Sequence, residues 1–132
     1  MADFTKTTMA VASSAMRAQA LRVRLASENL ANASSPQYQR RTVQFEVTNP
    51  ESNSEVDFVG IKSLKRDTSD FTQKYDPTNP LSNKVGYVEL SNVNSIIEIT
   101  DAKEANRNYE ANLSMFDQAR SMYSKMIDLL RS

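Results

Sequence analysis

The chain has 132 residues, with sixteen Lys and Arg against sixteen Asp and Glu and no His, Cys or Trp. Without imidazole or thiol it lacks the usual general bases, sulfur nucleophiles and soft metal ligands, and two isolated glycines (Gly60, Gly86) cannot form a phosphate-cradling loop. Zero net charge supplies no global field for nucleic acid or anionic lipid, which leaves carboxylate, Ser, Tyr or Lys chemistry, hard-metal binding, or no chemistry.

The apolar fraction, 39%, is below that of ordinary globular domains, so the core is thin for the length. No apolar run approaches the roughly 20 residues that span a bilayer. The N-terminus opens on Asp3, without the basic region and continuous apolar stretch of a secretory signal.

Gly and Pro divide the chain. All six lie between Pro36 and Gly86, which predicts a mainly α fold: long N- and C-terminal helices forming a coiled-coil-like core, with an inserted β-rich segment. The expected divisions are 1–36 (N-terminal helix), 37–94 (β-rich or extended middle) and 95–132 (C-terminal helix). In the first helix Met9, Ala12, Met16, Gln19, Val23, Ala26, Leu30 and Ala33 alternate steps of three and four, a heptad seam. Ser34-Ser35-Pro36 supplies its stop.

In the middle, Val43, Phe45 and Val47 alternate with polar residues as a half-buried strand, followed by a polar turn at 49–54. Further strands are expected at 56–64, 71–75 and 87–90, with Asp76-Pro77-Thr78-Asn79-Pro80 as a turn. Ser95-Ile96-Ile97-Glu98 has the form of a capping box opening the last helix. There Ala102, Asn106, Tyr109, Leu113, Phe116, Arg120, Tyr123, Ile127 and Leu130 form a second seam. A parallel row (Met115, Ala119, Met122, Met126, Leu129) widens it. Asn106 and Arg120 are polar members of the kind that set register.

Charge offers little chemistry. Arg17, Arg22 and Arg24 read as a solvated helix flank with no aromatic residues to stack bases. Arg40-Arg41 and Lys65-Arg66 are pairs opposed by Glu46, Asp67 and Asp70, and Asp101 and Glu104 suit the first turns of a helix. The stretch from Glu28 to Tyr38 is less ordinary: Asn29, Asn32 and Tyr38 are expected to fix how the chain leaves the first helix.

Helices of about 30 and 36 residues would span roughly 45 and 54 Å. A compact chain of this length has a radius of gyration of only about 14 Å. The helices therefore overhang any globule the chain builds alone and need neighbouring subunits. A helical-hairpin adaptor or secretion chaperone, and a small hydrolase using Ser–Lys or carboxylates, remain as rival readings.

Three segments carry a resemblance. Asn29-Leu30-Ala31-Asn32-Ala33 with Tyr38 and Arg40-Arg41, then Tyr75-Asp76-Pro77-Thr78-Asn79-Pro80-Leu81 with Gly86-Tyr87-Val88 and Asn92-Val93-Asn94, and Asn106-Arg107-Asn108-Tyr109-Glu110-Ala111-Asn112 resemble motifs of the flagellar rod and hook family of axial proteins, most closely its proximal-rod members. Gln37 stands where many relatives have Gly, and Ser91 where proximal-rod members usually have Pro, which there looks more like the distal-rod and hook members.

The resemblance implies a non-enzymatic subunit that polymerises helically into the hollow periplasmic rod, the drive shaft from rotor ring to hook. It would leave the cell through the flagellar type III export apparatus without a cleaved signal. Its partners would be copies of itself, other rod proteins and the rod–ring junction protein, with no cofactor, metal, small-molecule substrate, nucleic acid or membrane insertion. Subunit contacts are expected from the seams (Met16, Val23, Leu30, Tyr109, Leu113, Phe116, Tyr123, Ile127) and from the motifs (Asn29, Asn32, Tyr38, Val93, Asn94, Asn106, Asn112).

Overall fold

A computed structural model describes residues 2–50 and 55–132. The uninterrupted helix formers at the two ends fold as α1 (Ala2–Ala31) and α2 (Ser95–Arg131), about 45 and 55 Å long. They run antiparallel along each other, as three contacts spaced down the pair establish. The Lys6 ammonium lies 5.5 Å from the Tyr123 ring centre at one end, Arg22 bonds Glu104 at 3.0 Å in the middle, and Asn29 bonds Glu98 at 3.2 Å at the other end.

α1 ends at Ala31, short of the expected Ser34-Ser35-Pro36. Asn32 turns its amide back to the Glu28 carbonyl (2.8 Å) and accepts from the Ser35 hydroxyl, so the chain tightens into a turn before Pro36 is reached. Gln37 then takes a left-handed backbone (φ 54), the conformation glycine adopts without strain.

The capping of α2 also differs from expectation. Asn94, not Ser95, is the N-cap: its side-chain oxygen accepts from the amides of Ile96 and Ile97. Glu98 is thereby freed from any capping role and turns inward.

The inter-helix seam is displaced from the expected one on α2. Ala105 and Ala119 are buried and Asn112 half-buried, whereas their neighbours Asn106, Leu113 and Arg120 are exposed. The larger residues lose this choice because a close helix pair favours small side chains along its centre line and moves bulk to the flanks. Asn106 and Arg120 are exposed on the outer side of the pair, and among the described residues Arg120 pairs with its own helix neighbour Asp117. On α1 the buried positions are Thr5, Ala12, Ala26 and Asn29, with a second buried row of Ser14, Ala18 and Leu25.

That second row meets the hairpin of β1 (Arg41–Thr48) and β2 (Phe58–Arg66), paired antiparallel. Ser14 accepts from the Val59 amide at 3.3 Å, and Leu25 lines one cleft with Val43 and Phe45. Cross-strand pairs Val43–Leu64, Phe45–Ile61 and Val47–Val59 put six apolar residues on one face. Ile61 and Leu64, three apart, would fall on opposite faces of a regular strand; Lys62, unpaired in a bulge, brings them to the same one. Val47 continues the alternation but is 71% exposed. Of the polar turn expected at 49–54, residues 51–54 lie outside the described residues.

A smaller hairpin, β3 (Gln73–Tyr75) with β4 (Tyr87–Glu89), packs Tyr75 edge-on against Tyr87 at 5.3 Å. Its connecting loop is pinned by Asp76, which accepts from the Thr78 hydroxyl, and by Asn83, whose side chain accepts from the amides of Val85 and Tyr87. Gly86 closes it with φ 93; a Cβ there would stand 2.9 Å from the Tyr75 ring.

Burial is inverted for a folded domain. The fully buried apolar residues among those described are five alanines (Ala12, Ala18, Ala26, Ala105, Ala119) with Leu25 and Val88, while the largest fully buried side chains are Glu98, Asn29, Thr5 and Ser91. Large apolar residues, from Ile96 (76% exposed) to Leu130 (86%), lie outside. Among the described residues no helix is long and apolar enough to cross a membrane.

Candidate assembly interface

The exit from α1, the start of β1 and the start of α2 converge on one polar junction. At its centre is Asn29, 1% exposed, whose amide uses its full bonding capacity. The nitrogen donates to the Arg41 carbonyl (2.8 Å) and to Glu98 Oε2 (3.2 Å). The oxygen accepts from the Arg41 amide (2.9 Å) and the Tyr38 hydroxyl (3.0 Å). The other Glu98 oxygen takes the Arg40 Nε, and Arg40 continues to Asp101 at 3.2 Å. Arg41 pairs with Glu28 at 3.1 Å, and Arg22 bridges Asp101 and Glu104. Glu98 is thus a buried carboxylate met by a guanidinium and an amide, an arrangement that loses several kcal/mol if one partner is removed.

A second set of bonds ties the approach to α2 into the same place. Asn92 accepts from the Arg40 amide at 2.7 Å and donates to the Asp67 and Ser69 carbonyls; buried Ser91 donates to the Ala33 carbonyl and accepts from the Val93 amide. Burial holds the Tyr38 phenol above its ordinary pKa, and the Glu28 carboxylate adds to the shift. The raised value means that the folded junction holds the phenolic proton more tightly. Its contribution is intact below the usual phenol pKa near 10 and declines as pH rises through the folded one.

The cations and acids paired here were expected elsewhere. Arg40 and Arg41 meet Glu98, Asp101 and Glu28 instead of Glu46, Asp67 or Asp70. Asp101 and Glu104 carry ion pairs beyond any role at the helix terminus. Arg22, assigned to a solvated flank, is mostly buried in them. Arg40, Ser91, Asn92 and Glu98 appeared in sequence only as motif or capping residues, and none was expected to make a contact here; the signals were the Arg40-Arg41 pair directly after the Asn-rich exit and the Asn92-Val93-Asn94 motif.

The remaining expected contact residues fall in three places. Asn29, Asn32 and Tyr38 lie in or beside the junction, and Val93 and Asn94 lead into α2. Met16, Val23, Tyr109, Phe116, Tyr123 and Ile127 are half-buried on the helix pair, and Asn112 is half-buried in the inter-helix seam. Leu30, Leu113 and Asn106 are exposed. Leu113 borders an outer groove on α2 whose floor is polar, with Ser114, Asp117 and Gln118. Met115, Met122 and Leu129 form an exposed row along one shoulder of α2, and Ile96, Ile97 and Ile99 a cluster at its start. Among the described residues no group of three or more His, Cys, Asp or Glu side chains could hold a metal ion. The arrangement presents a polar clamp inside and apolar helix flanks outside, a geometry for association.

Comparison with known proteins agrees with that geometry. Residues 84–129 match the family model described as the flagellar basal body rod FlgEFG protein C-terminal region. The chain is 40% identical to the flagellar basal-body rod protein FlgC of Agrobacterium fabrum, with 92% of each covered. It is 31% identical to FlgC of Escherichia coli O157:H7 (90% of this chain, 92% of the relative) and 30% to FlgC of Bacillus subtilis (90% and 93%). With identity at this level sustained across nine-tenths of both chains, the chain belongs to the family of the flagellar basal-body rod protein FlgC.

Proposed function

We propose that the chain is a structural subunit of the proximal rod, polymerising helically with copies of itself and other rod proteins into the hollow periplasmic shaft that carries torque from rotor ring to hook. The rod–ring junction protein would be its inner neighbour, and the flagellar type III export apparatus its route out of the cell. The apolar flanks of α1 and α2 would meet the helices of adjacent subunits, and the two hairpins would stand outside and engage neighbours.

The observation that carries this reading is the inverted burial. The chain exposes 9341 Å². A compact monomer of its mass would expose about 7,000 Å². The excess, on the order of 2,300 Å², corresponds to about three standard protein interfaces at roughly 800 Å² per partner. Helices that overhang their own core and offer different flanks at different ends suit head-to-tail contacts, which propagate as a helical filament.

Two exposed positions test it. In a strain lacking the gene and complemented with Leu113→Asp/Leu129→Asp, rods are expected to be absent and cells non-motile, because charge would enter the flanks without touching the buried seam. Phe116 is a poorer target, since it is half-buried against α1 and its loss would also loosen the monomer. A motile double variant with normal rods refutes the assignment of these flanks. Electron micrographs of the deletion strain should show rotor rings without rods; intact rods there refute the rod reading itself.

A further inference from the structure

The charges on the outer sides of the two helices are ordered. On α1 one exposed row reads Asp3, Ala10, Arg17, Arg24, Ala31, a residue per heptad. On α2 the exposed row Lys103, Glu110, Asp117, Ser124, Arg131 has the same period. Both stand outside the inter-helix seam, which on α2 runs through Ala105, Asn112 and Ala119. Little within the chain engages them. Arg24 lies 3.8 Å from Glu28 with its side chain 68% exposed, and Asp117 is 4.0 Å from Arg120. Among the described residues Asp3, Arg17, Glu110 and Arg131 make no ion pair. Aligned in opposite directions, the two rows match. Placing Arg17 opposite Asp117 also sets Arg24 opposite Glu110, Asp3 opposite Arg131 and Ala10 opposite Ser124, with no like charges facing. In the same alignment half-buried Leu21 and exposed Leu113 come level, each between the two charges of its own helix. A slide of one heptad in one direction sets Arg24 against Lys103, and in the other keeps a single opposite pair. No parallel alignment of the rows gives more than two.

We infer that the two rows meet between copies of this chain, α1 of one subunit lying antiparallel against α2 of the next with Arg17 opposite Asp117 and Arg24 opposite Glu110. Within one chain they cannot meet in this way, because the Asn29–Glu98 bond brings Arg17 level with Glu110 and both rows lie on outer sides. The neighbour is therefore displaced by seven residues, about 10 Å along the helices. Such a contact joins two different surfaces, so each copy offers α1 to one neighbour and α2 to another and the array does not close. Subunits repeated along a shaft keep one polarity, which makes α1 and α2 of adjacent copies antiparallel, as the match requires. Exposed ion pairs contribute little energy each, whereas like charges brought together are strongly disfavoured. The rows thus select the register, and the apolar flanks supply the affinity. The inference rests on the proposed rod function and gives it a partner surface, a second copy of the chain.

The register is tested in basal bodies isolated from complemented cells and treated with a short bismaleimide; the chain has no native thiol to compete. Ala10→Cys/Ser124→Cys is expected to give a ladder of covalent multimers, and either single variant none. An absent ladder, or a dimer from a single variant, overturns the head-to-tail contact. A ladder from Ala10→Cys/Ser114→Cys in its place overturns the register. Charge reversal tests the pairing. Arg17→Glu/Arg24→Glu and Glu110→Arg/Asp117→Arg are each expected to cut the fraction of cells with complete rods by about tenfold or more, because each sets like charges together. The four substitutions combined should restore rods, since every copy then carries both reversed rows. Normal rods with either reversal alone overturn the pairing, and a combined variant no better than its parents overturns the assignment of the partner as a second copy. A deletion strain that lacks rods while both reversals build them removes this register and leaves the rod function standing; a deletion strain with intact rods refutes the rod function itself.

Discussion

Asn29 concentrates more of the fold than any apolar residue in the chain. Its four hydrogen bonds join α1 to the Arg41 backbone, to Tyr38 and to Glu98, so a single amide fixes the exit angle of the helix, the start of β1 and the depth of α2. An aspartate could not substitute: it would lose both donors and set a second carboxylate beside Glu98. Replacement by Ala leaves a buried carboxylate oxygen and a backbone amide short of partners, an effect worth about 2–3 kcal/mol. In an osmolyte titration that drives the isolated chain to fold, Asn29→Ala should move the midpoint to distinctly higher osmolyte, and Asn29→Asp further still at neutral pH. Identical midpoints for wild type and both variants would show that the junction does not stabilise the monomer.

The elements were largely visible in the sequence, and the reasons differ by element. Both helices and all four strands announce themselves because Gly and Pro are confined to the middle and because Val43, Phe45 and Val47 alternate with polar residues. The inter-helix seam was not visible to the residue. Periodicity weights Leu113 above Ala105 or Ala119, while close helix packing prefers the alanines. The junction was visible only at one end: Asn29 and Tyr38 stand out by type, but Arg40 and Glu98 are 58 positions apart and nothing local couples them. Likewise the Lys62 bulge is a property of the pairing of two strands and leaves no mark on either alone. The β3–β4 hairpin shows the opposite case, in which a single residue type is dictated by its element. Gly86 has φ 93 and no room for a Cβ against Tyr75 and Pro77. Gly86→Ala should cost about 1–3 kcal/mol, confined to this hairpin. Hydrogen exchange on the osmolyte-folded chain should quicken at the Asp76 and Leu90 amides, which close the hairpin's hydrogen bonds, and stay unchanged at the Arg41 amide in the junction. Uniform acceleration at both sites would mean that the hairpin and the junction open as one unit.

At the scale of the whole molecule, the balance between ordering and burial decides when this chain folds. Two long helices must be ordered, yet the large apolar side chains fully buried on doing so, among the described residues, are Leu25 and Val88. Fixing a backbone residue costs roughly 1–2 kcal/mol. Burying a large aliphatic side chain returns about 1.5–3 kcal/mol, and an alanine much less. The polar junction supplies direction more than energy, because its hydrogen bonds largely replace those made with water. Helices in proteins gain most of their stability from packing an apolar face, and on the proposed reading neighbours complete that packing. Folding and docking should therefore be coupled, the subunit staying loose until it reaches its place and becoming rigid there. Circular dichroism of the purified monomer is expected to show helicity well below the roughly one half of the chain that forms α1 and α2, rising when subunits assemble or when osmolyte is added. A monomer that already shows two full-length helices and a sharp, cooperative thermal transition would place the stabilising energy inside the single chain, and the exposed flanks would then be surfaces for docking preformed subunits.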